Sequence, residues 1–442
     1  MITYRAWFFR RPSMILALVC IAFSLILTSE PKIEEVDSTQ ALRDTVVRVE
    51  EHSGKIRIRG QRLMADTFSS DLREGDVFVV RGEFVPVTKE ESVFYRRYLI
   101  SQGIFYTVKK PVFQKTGEVK LLYRYRAKAL GYLQRRIEER FRSTSYLWKA
   151  LLYGDRSEFP KEVREDFARA GLSHVLALSG FHVGILAFFL QALLLPLSLR
   201  KRTTTICFVL AVYALLTGLR PSIVRAVGFY LLYYLSFLFH RRYDLISALC
   251  IMCAGILLLH PLSILDVGFQ LSFLSVLSIA LFQGEMEEFL EGTAGFLKNK
   301  RLKRRFKAMG SVLALSISPL ILSLPLAVYH FQIVPLFSAV SNLFVLPLIS
   351  LSMTLFLVSM LLPAGLFLTD VLVWGVNLLT NLMNKGIAYL VGLPCSYLEI
   401  QEVSAVFMFF YYGVCIAWYI NSERKMIKEN FYDIQRIEKE VG

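Results

Sequence analysis

Signatures of metal binding and nucleotide hydrolysis are missing from this sequence. Its six cysteines and six histidines are scattered over 442 residues. Cys20, Cys207, Cys250, Cys253, Cys395 and Cys415 fall mostly in apolar runs. Cys250 and Cys253 form a CxxC, but within an apolar run and with no second pair. That argues for small buried residues and against zinc or redox use. No G-x-x-x-x-G-K-[ST] occurs, so the chain has no P-loop with which to drive work by its own nucleotide hydrolysis. Negative charge is also short: 36 Asp and Glu stand against 51 Lys and Arg, a net charge of +15. Basic loops on one side of a membrane account for part of that excess. The remainder favours an anionic partner, nucleic acid or acidic lipid.

What the chain has in quantity is hydrocarbon. Hydrophobic residues make up 55% of it and the mean hydropathy is +0.47, the composition of a membrane protein. A first apolar run, 13–28, follows Arg5, Arg10 and Arg11. The basic flank and short core fit a signal peptide, but no A-x-A-type cleavage site follows, which favours a retained anchor over 1–29. Residues 30–120 alternate instead. TVVRVEEHSGKIRIRG (45–60) turns at Ser53 and Gly54, and REGDVFVVRGEFVPV (73–87) is a second strand cluster with its own Gly-containing turns. Short strands so closely spaced predict a small extracytoplasmic all-β domain, an OB-like barrel. Residues 41–81 hold eight Lys and Arg against seven Asp and Glu, so shape alone does not establish nucleic-acid binding there.

The stretch from Lys109 to Arg142 is basic, with eleven Lys and Arg against three acidic residues. Lys109, Lys110, Arg124 and Arg126 are interleaved with Tyr123 and Tyr125, and Tyr132 follows. Two compatible readings stand here. Basic residues with aromatics track phosphates and stack bases, which makes these six the candidate nucleic-acid-binding residues. Alternatively, 121–171 is a connector whose amphipathic helix lies on the membrane surface, with Leu122, Leu130, Leu133, Ile137 and Phe141 toward lipid or core.

Nine spans are predicted within 172–420: roughly 172–198, 204–219, 221–239, 243–259, 264–283, 310–330, 335–360, 366–391 and 403–420. Arg200, Lys201 and Arg202 follow the first, Arg241 and Arg242 the third, and a dense basic cluster the fifth. The loops around 260–263, 331–334 and 392–402 contain no Lys or Arg. The positive-inside rule then puts both termini in the cytoplasm, with 421–442 as a cytoplasmic tail, and the β domain outside. The fold class is a polytopic α-helical membrane protein of about ten spans carrying an extracytoplasmic OB-like domain.

Ionisable groups inside spans usually face a cavity or a partner. Here most fall in the outer half of the membrane: His174, His182, Arg225, Asp266, His330 and Lys385, the last in an i, i+4, i+8 stripe with Asn377 and Asn381. Arg220 stands in an outer loop, and Asp266 and Gln270 share a helix face. The set points to an externally open polar vestibule. Singly, each has a plainer reading: Asp266 as a helix cap, Arg225 as its partner, His330 as an interface anchor. In GLSHVLALSGFHVGIL (171–186), Ser179 and Gly180 supply a break that is tolerated at depth only where protein or water satisfies the backbone. On a straight helix His174 and His182 would lie about 12 Å apart, too far to share a metal ion.

These segments resemble those of the ComEC-type competence proteins. ALLYGDRSEFPKEVREDFARAGLSHVLALSGFHVGIL (150–186), GLRPSIVRA (218–226), HPLSILDVGFQLSFLSVLSIA (260–280) and SVFYRRYLISQGIFYTV (92–108) occur in the family's order. The resemblance covers about 40–390. It implies a channel for DNA uptake that passes single-stranded DNA into the cytoplasm during natural transformation. It also implies a part for His174, Ser179, His182, Arg225, Asp266 and Gln270 in shaping the conduit. The implied partners are single-stranded DNA, the DNA receptor of the competence machinery, a cytosolic helicase-like ATPase, a separate nuclease and the lipid bilayer. Many members continue into a metallo-β-lactamase-like domain. This sequence has no H-x-H-x-D-H and ends about twenty residues after its last predicted span, so strand degradation is expected of another polypeptide. No cofactor and no catalytic residue are expected. The rival readings are a transporter of another polyanion or a small solute, and a rhomboid-like intramembrane serine protease built on Ser179.

Overall fold

Alternating residues in the first part of the chain close a six-stranded sheet. The computed structural model describes residues 12–28, 41–52, 55–67, 71–90, 92–293, 300–400, 403–404 and 406–422. Within it, β1 (Leu42–Thr45), β2 (Arg48–His52), β3 (Lys55–Arg59), β4 (Leu63–Thr67), β5 (Asp76–Pro86) and β6 (Tyr106–Val119) run in the order β1-β5-β6-β4-β3-β2. β4 and β6 pair in parallel, and the other neighbours are antiparallel. β1 and β2 are consecutive in the chain yet sit at opposite edges. Between them Val46 N–H donates to the Asp76 carbonyl and Val47 N–H to the Arg59 carbonyl, both at 2.9 Å. One bent strand therefore bonds both edges. Val46, Ile58, Leu63, Phe78 and Val80 fill the enclosed core.

The predicted hairpin is present as paired β2 and β3, with His52 opposite Lys55; its turn, Ser53 and Gly54, lies outside the described residues. The second strand cluster is one long strand rather than strands divided by glycine turns. Gly82 sits inside β5 at a register shift between Arg81 and Glu83, a bulge. α2 (Val93–Ser101) joins β5 to β6, capped by Ser92 Oγ on the Tyr95 N–H at 3.3 Å. Its buried Leu99 and Ile100 pack, with Val87 and Ile104, against Leu262 and Leu265 of a 3-10 turn, Pro261–Leu265.

The rest is helical. α1 (Pro12–Thr28) covers the first apolar run. The connector holds α3 (Leu121–Arg140), α4 (Ser145–Tyr153) and α5 (Lys161–Arg169). Then come α6 (Ser173–Leu176), α7 (Gly180–Leu193), α8 (Leu199–Leu216), α9 (Pro221–Leu238), α10 (Leu245–Leu259), α11 (Val267–Thr293) and α12 (Lys300–Phe331). α13 (Ser338–Leu361), α14 (Phe367–Val391) and α15 (Val406–Ser422) complete the set. Among the described residues, α9, α11, α12 and α13 contain stretches long and apolar enough to cross a membrane; α1, α7, α10 and α15 are shorter apolar helices. Short strands β7 (Ile333–Pro335) and β8 (Tyr397–Glu399) pair beside the start of α13.

Three predicted spans differ in shape. The run 172–198 is divided into α6 and α7. Arg200, Lys201 and Arg202 form the first turn of α8, not a loop before it. The run 264–283 opens with the 3-10 turn and continues as a helix ten residues past its predicted end. Apolar composition marks hydrocarbon depth, whereas a helix continues through charged residues once it leaves that depth.

The bundle has two distinguishable ends. At the sheet end lie the last residue of α8, the start of α9 and the turn that receives α2. Gly171 lies against Pro335 and Ser338, and only the four-residue α6 separates it from Leu178, which Ser222 holds at the start of α9, so the start of α13 comes to this end. The connection between α13 and α14 lies at the far end.

Candidate functional site

The interruption at Ser179 and Gly180 is present. Ala177 is extended (φ −70°, ψ 132°), as is Ser179 (φ −125°, ψ 170°), and α7 starts afresh at Gly180. Backbone groups freed here have partners. Ser222, one residue into α9, donates its hydroxyl to the Leu178 carbonyl. Ser179 N–H donates to Nδ1 of His182 at 3.1 Å, and Ser179 Oγ lies 3.1 Å from the same nitrogen. His182 thus closes the first turn of α7 in the manner of a capping box. Its ring is fully buried, and Nε2 has no partner among the described residues. Gly180 faces Ala226 at a distance that leaves a Cβ 3.5 Å away, so α7 and α9 touch beside Arg225.

Arg225 is the buried charge of this junction, 4% exposed. Its Nη2 donates to the Gly268 carbonyl at 3.1 Å, and its guanidinium lies 6.0 Å from the centre of the Phe269 ring. Nε and Nη1 have no partner among the described residues. No ion pair closes between Arg225 and Asp266. Asp266 instead caps α11, accepting the Gly268 N–H at 2.6 Å, and its other oxygen meets Nε2 of Gln102 at 3.4 Å. Gln102 in turn accepts from Arg59 of β3 at 2.9 Å. Gln270 donates to the Ile264 carbonyl at 2.7 Å and holds the 3-10 turn against α11. Three separate stretches of sequence, 171–186, 218–226 and 260–280, therefore meet around α9, and the sheet is tied to the same place.

The other candidates distribute unevenly. His174 is exposed, with Nδ1 3.1 Å from the Gly171 carbonyl. Gly171 itself has φ +77°, and a Cβ there would lie 2.6 Å from Ser338 Oγ, so this turn requires glycine. Arg220 caps the connector: its Nη2 donates to the Gly154 carbonyl at 2.8 Å at the end of α4. His330 ends α12 with its ring 5.2 Å from that of Tyr329. Lys385 is not brought to the junction. It is exposed on α14, on the face that also presents Leu378, Leu382 and Tyr389, a position from which a lysine snorkels. Asn377 accepts from Thr144 at 2.7 Å.

The basic set of 109–126 splits in two. Lys109, Lys110 and Tyr125 are exposed. Arg124 is ion-paired with Asp76, and Tyr123 lies against Gln61. Arg126 faces inward: Nε donates to the Leu216 carbonyl at 3.1 Å and Nη1 to the Val47 carbonyl at 3.3 Å, joining sheet to α8. Periodicity alone does not separate the exposed members of the set from the partnered ones.

Sequence reading missed Lys149. It is 1% exposed and paired with Glu138 of α3 at 2.9 Å and with Glu158 at 2.5 Å. It missed Ser222 and Gln102 as well. A signal for Lys149 existed: it stands among Leu147, Trp148, Leu151 and Leu152, where a charge needs a partner. No group of His, Cys, Asp and Glu fit to hold a metal occurs among the described residues.

A family model described as "Competence protein" matches residues 151–425. ComE operon protein 3 of Bacillus subtilis is 28% identical over 201 residues, 45% of this chain and 24% of that protein. An uncharacterized protein of Aquifex aeolicus is 35% identical over 139 residues, 31% of this chain and 33% of its own length. The uncharacterized protein YcaI of Escherichia coli is 24% identical over 314 residues, 64% of this chain and 38% of its own. The matches thus span between 24% and 38% of these relatives. No solved structure matches the chain.

Proposed function

Since the chain belongs to the competence protein family, we propose that it is the membrane conduit that passes single-stranded DNA into the cytoplasm during natural transformation. One observation carries the reading: the three separated segments converge on Arg225, a buried guanidinium with two nitrogens unpartnered among the described residues. A phosphate chain carries a charge about every 3.4 Å per strand, and it crosses a bilayer only along a shielded, cation-bearing route. Arg225 and Arg220 supply positive charge at the mouth. The break at Ser179 beside His182 forms the constriction, and sparser charge beyond it lets the strand leave.

The six-stranded sheet reads as the OB-like module. Its bent first strand bonds both edges and its third and fifth strands are parallel when β1 and β2 are counted as one. In this reading the sheet lies outside the cell membrane with both termini in the cytoplasm, the helices make about ten spans, and Lys109, Lys110 and Tyr125 meet the incoming strand. The DNA receptor delivers that strand, a cytosolic helicase-like ATPase or the membrane potential supplies direction, and a separate nuclease removes the complement.

Uptake of labelled DNA by a deletion strain tests this. The wild-type chain restores uptake; the Arg225→Ala, Asp266→Ala double variant, inserted to the same level, does not. Equal uptake by both would sink the proposal.

One observation favours a second reading. Ser179 Oγ and His182 Nδ1 stand 3.1 Å apart, as in a serine hydrolase dyad. The same nitrogen already accepts the Ser179 N–H, and the pair is accounted for as a cap. Ser179→Ala separates the two: a hydrolase loses its activity entirely, whereas the conduit keeps uptake with a weakened α7 cap.

A further inference from the structure

We infer that α3 lines a water-filled path through the bilayer and, resting on the function proposed above, that the DNA strand runs along it. The argument starts from two arginines on that helix. Arg126 is pinned at the sheet end, on the carbonyl of the last residue of α8. Arg140 donates to the carbonyls of Ser359 and Leu362, at the other end of α13 from the sheet. The two arginines are fourteen residues apart, about 21 Å along a helix. Ser338, where α13 begins at the sheet end, is about 32 Å from Ser359 on the same scale. Each arginine satisfies carbonyls at a helix C-terminus, where a cation is favoured.

α3 therefore descends beside the bundle rather than lying across its top. Packing agrees. Ile137 and Phe141 are buried in one core with Trp148, Phe356 and Val376, and the Phe141 ring is 5.1 Å from that of Phe356, deep along α13. α4 then climbs back, with Tyr213 donating to the Leu152 carbonyl near the sheet end. The pair is a re-entrant helical hairpin inside the bilayer thickness.

What α3 turns away from the core settles its surroundings. Below Arg126 its exposed residues are Lys128, Ala129, Tyr132, Arg135 and Glu139. None is a large aliphatic side chain. Lys128 is close enough to the sheet end to snorkel. Arg135 is about 13 Å beyond Arg126 and about 8 Å short of Arg140, whose own side chain is already spent reaching the end of α13, so neither end is within its reach. An ionised side chain at such depth faces water or a partner rather than acyl chains, and Arg135 makes no ion pair among the described residues. Glu138 and Glu158, which hold Lys149, are themselves 41% and 55% exposed. Carboxylates so open beside a buried lysine indicate a wet space next to the hairpin.

The occupant follows from the pattern. Tyr125 and Tyr132 are two turns apart, about 10 Å, with Lys128 and Arg135 interleaved on the same face. Aromatic faces alternating with cations suit stacked bases and phosphates of a single strand. Arg136 lies over the Tyr132 ring at 5.8 Å and adds a further charge at the edge of the face.

Cysteine accessibility tests the inference in the full-length membrane-inserted protein. Lys128→Cys, Tyr132→Cys and Arg135→Cys are made one at a time with the exposed native thiol removed by Cys395→Ser. Trp374→Cys and Leu378→Cys on α14 serve as lipid-facing controls. A charged, membrane-impermeant thiol reagent should label the α3 positions at least tenfold faster than the controls. A single-stranded oligonucleotide should slow that labelling severalfold, and Arg135→Glu should lower uptake. Labelling of the α3 positions as slow as at Leu378, with uptake intact, overturns this inference alone. Fast labelling indifferent to the oligonucleotide, with Arg135→Glu uptake unchanged, overturns the assignment of the strand to this face. Absence of uptake by the parental chain overturns the proposed function whatever the labelling shows.

Discussion

α3 and α14 lean on the same support and show opposite faces to their surroundings. Both pack on α13: α3 through Ile137 and Phe141, α14 through Val376, Met383 and Ile387, all in one buried core. Outward, α14 presents Phe367, Leu368, Val371, Trp374, Leu378 and Leu382, with Asp370 in its first turn and Asn381 and Lys385 toward its other end. Below Arg126, α3 presents lysine, arginine, glutamate and phenol. Apolar contact fixes where a helix sits, and the uncovered remainder reports what it sits in. α14 reads as lipid-facing, whereas α3 does not, although both are ordered by the same aromatic and aliphatic contacts.

The hardest blow to that comparison is loss of the shared support. Trp148 of α4 stacks on Phe356 of α13 with ring centres 4.6 Å apart and planes 8° from parallel. Trp148→Ala should destabilise the folded protein by about 3–5 kcal/mol, read as a lower midpoint in thermal unfolding of detergent-solubilised protein. The outward faces come next. Leu378→Arg places a charge on the α14 face and should cost about 2.5–3.5 kcal/mol in insertion, visible as a reduced membrane-inserted fraction. Arg140→Met removes the clamp on the α13 carbonyls while keeping the stem; about 1.5–3 kcal/mol should be lost, with faster proteolysis after α3. The smallest effect sharpens the contrast most. Ala129→Lys adds a charge to the exposed face of α3 and should change stability by less than about 0.5 kcal/mol. If Ala129→Lys and Leu378→Arg proved equally damaging, the two faces would share one environment.

The apolar runs announced most helices because hydrocarbon length and helix rise leave few alternatives. Pro221–Leu238 and Ser338–Leu361 match their predicted spans to within a few residues for that reason. The break at Ser179 was equally legible, since a Ser-Gly pair amid lipid-grade residues has few other uses. What supports it was not: Ser222 reads as one more small polar residue at a helix start, and only the fold shows it on the Leu178 carbonyl. The depth of α3 was hidden for a deeper reason. Amphipathic periodicity says that one face is polar but not whether that polar face meets bulk water, headgroups or a wet cleft. Arg126 and Arg135 are indistinguishable by spacing; one is consumed by main-chain carbonyls and the other is not. Lys385 shows the converse, a stripe with Asn377 and Asn381 that predicted a shared lining. Once α14 is packed, Asn377 meets Thr144 while Asn381 and Lys385 stay exposed.

Gln102 is a joint with a built-in polarity. Its amide oxygen takes the Arg59 guanidinium and its amide nitrogen gives to Asp266, so the group cannot be reversed without losing both bonds. Asp266 also holds the Gly268 amide, and the Gly268 carbonyl holds Arg225. A tug on the sheet would therefore reach a guanidinium buried among the helices through four polar contacts in series, one of them within the turn Asp266-Val267-Gly268. Such a coupling slackens before either body deforms, which makes this the seam where force from outside would be felt first.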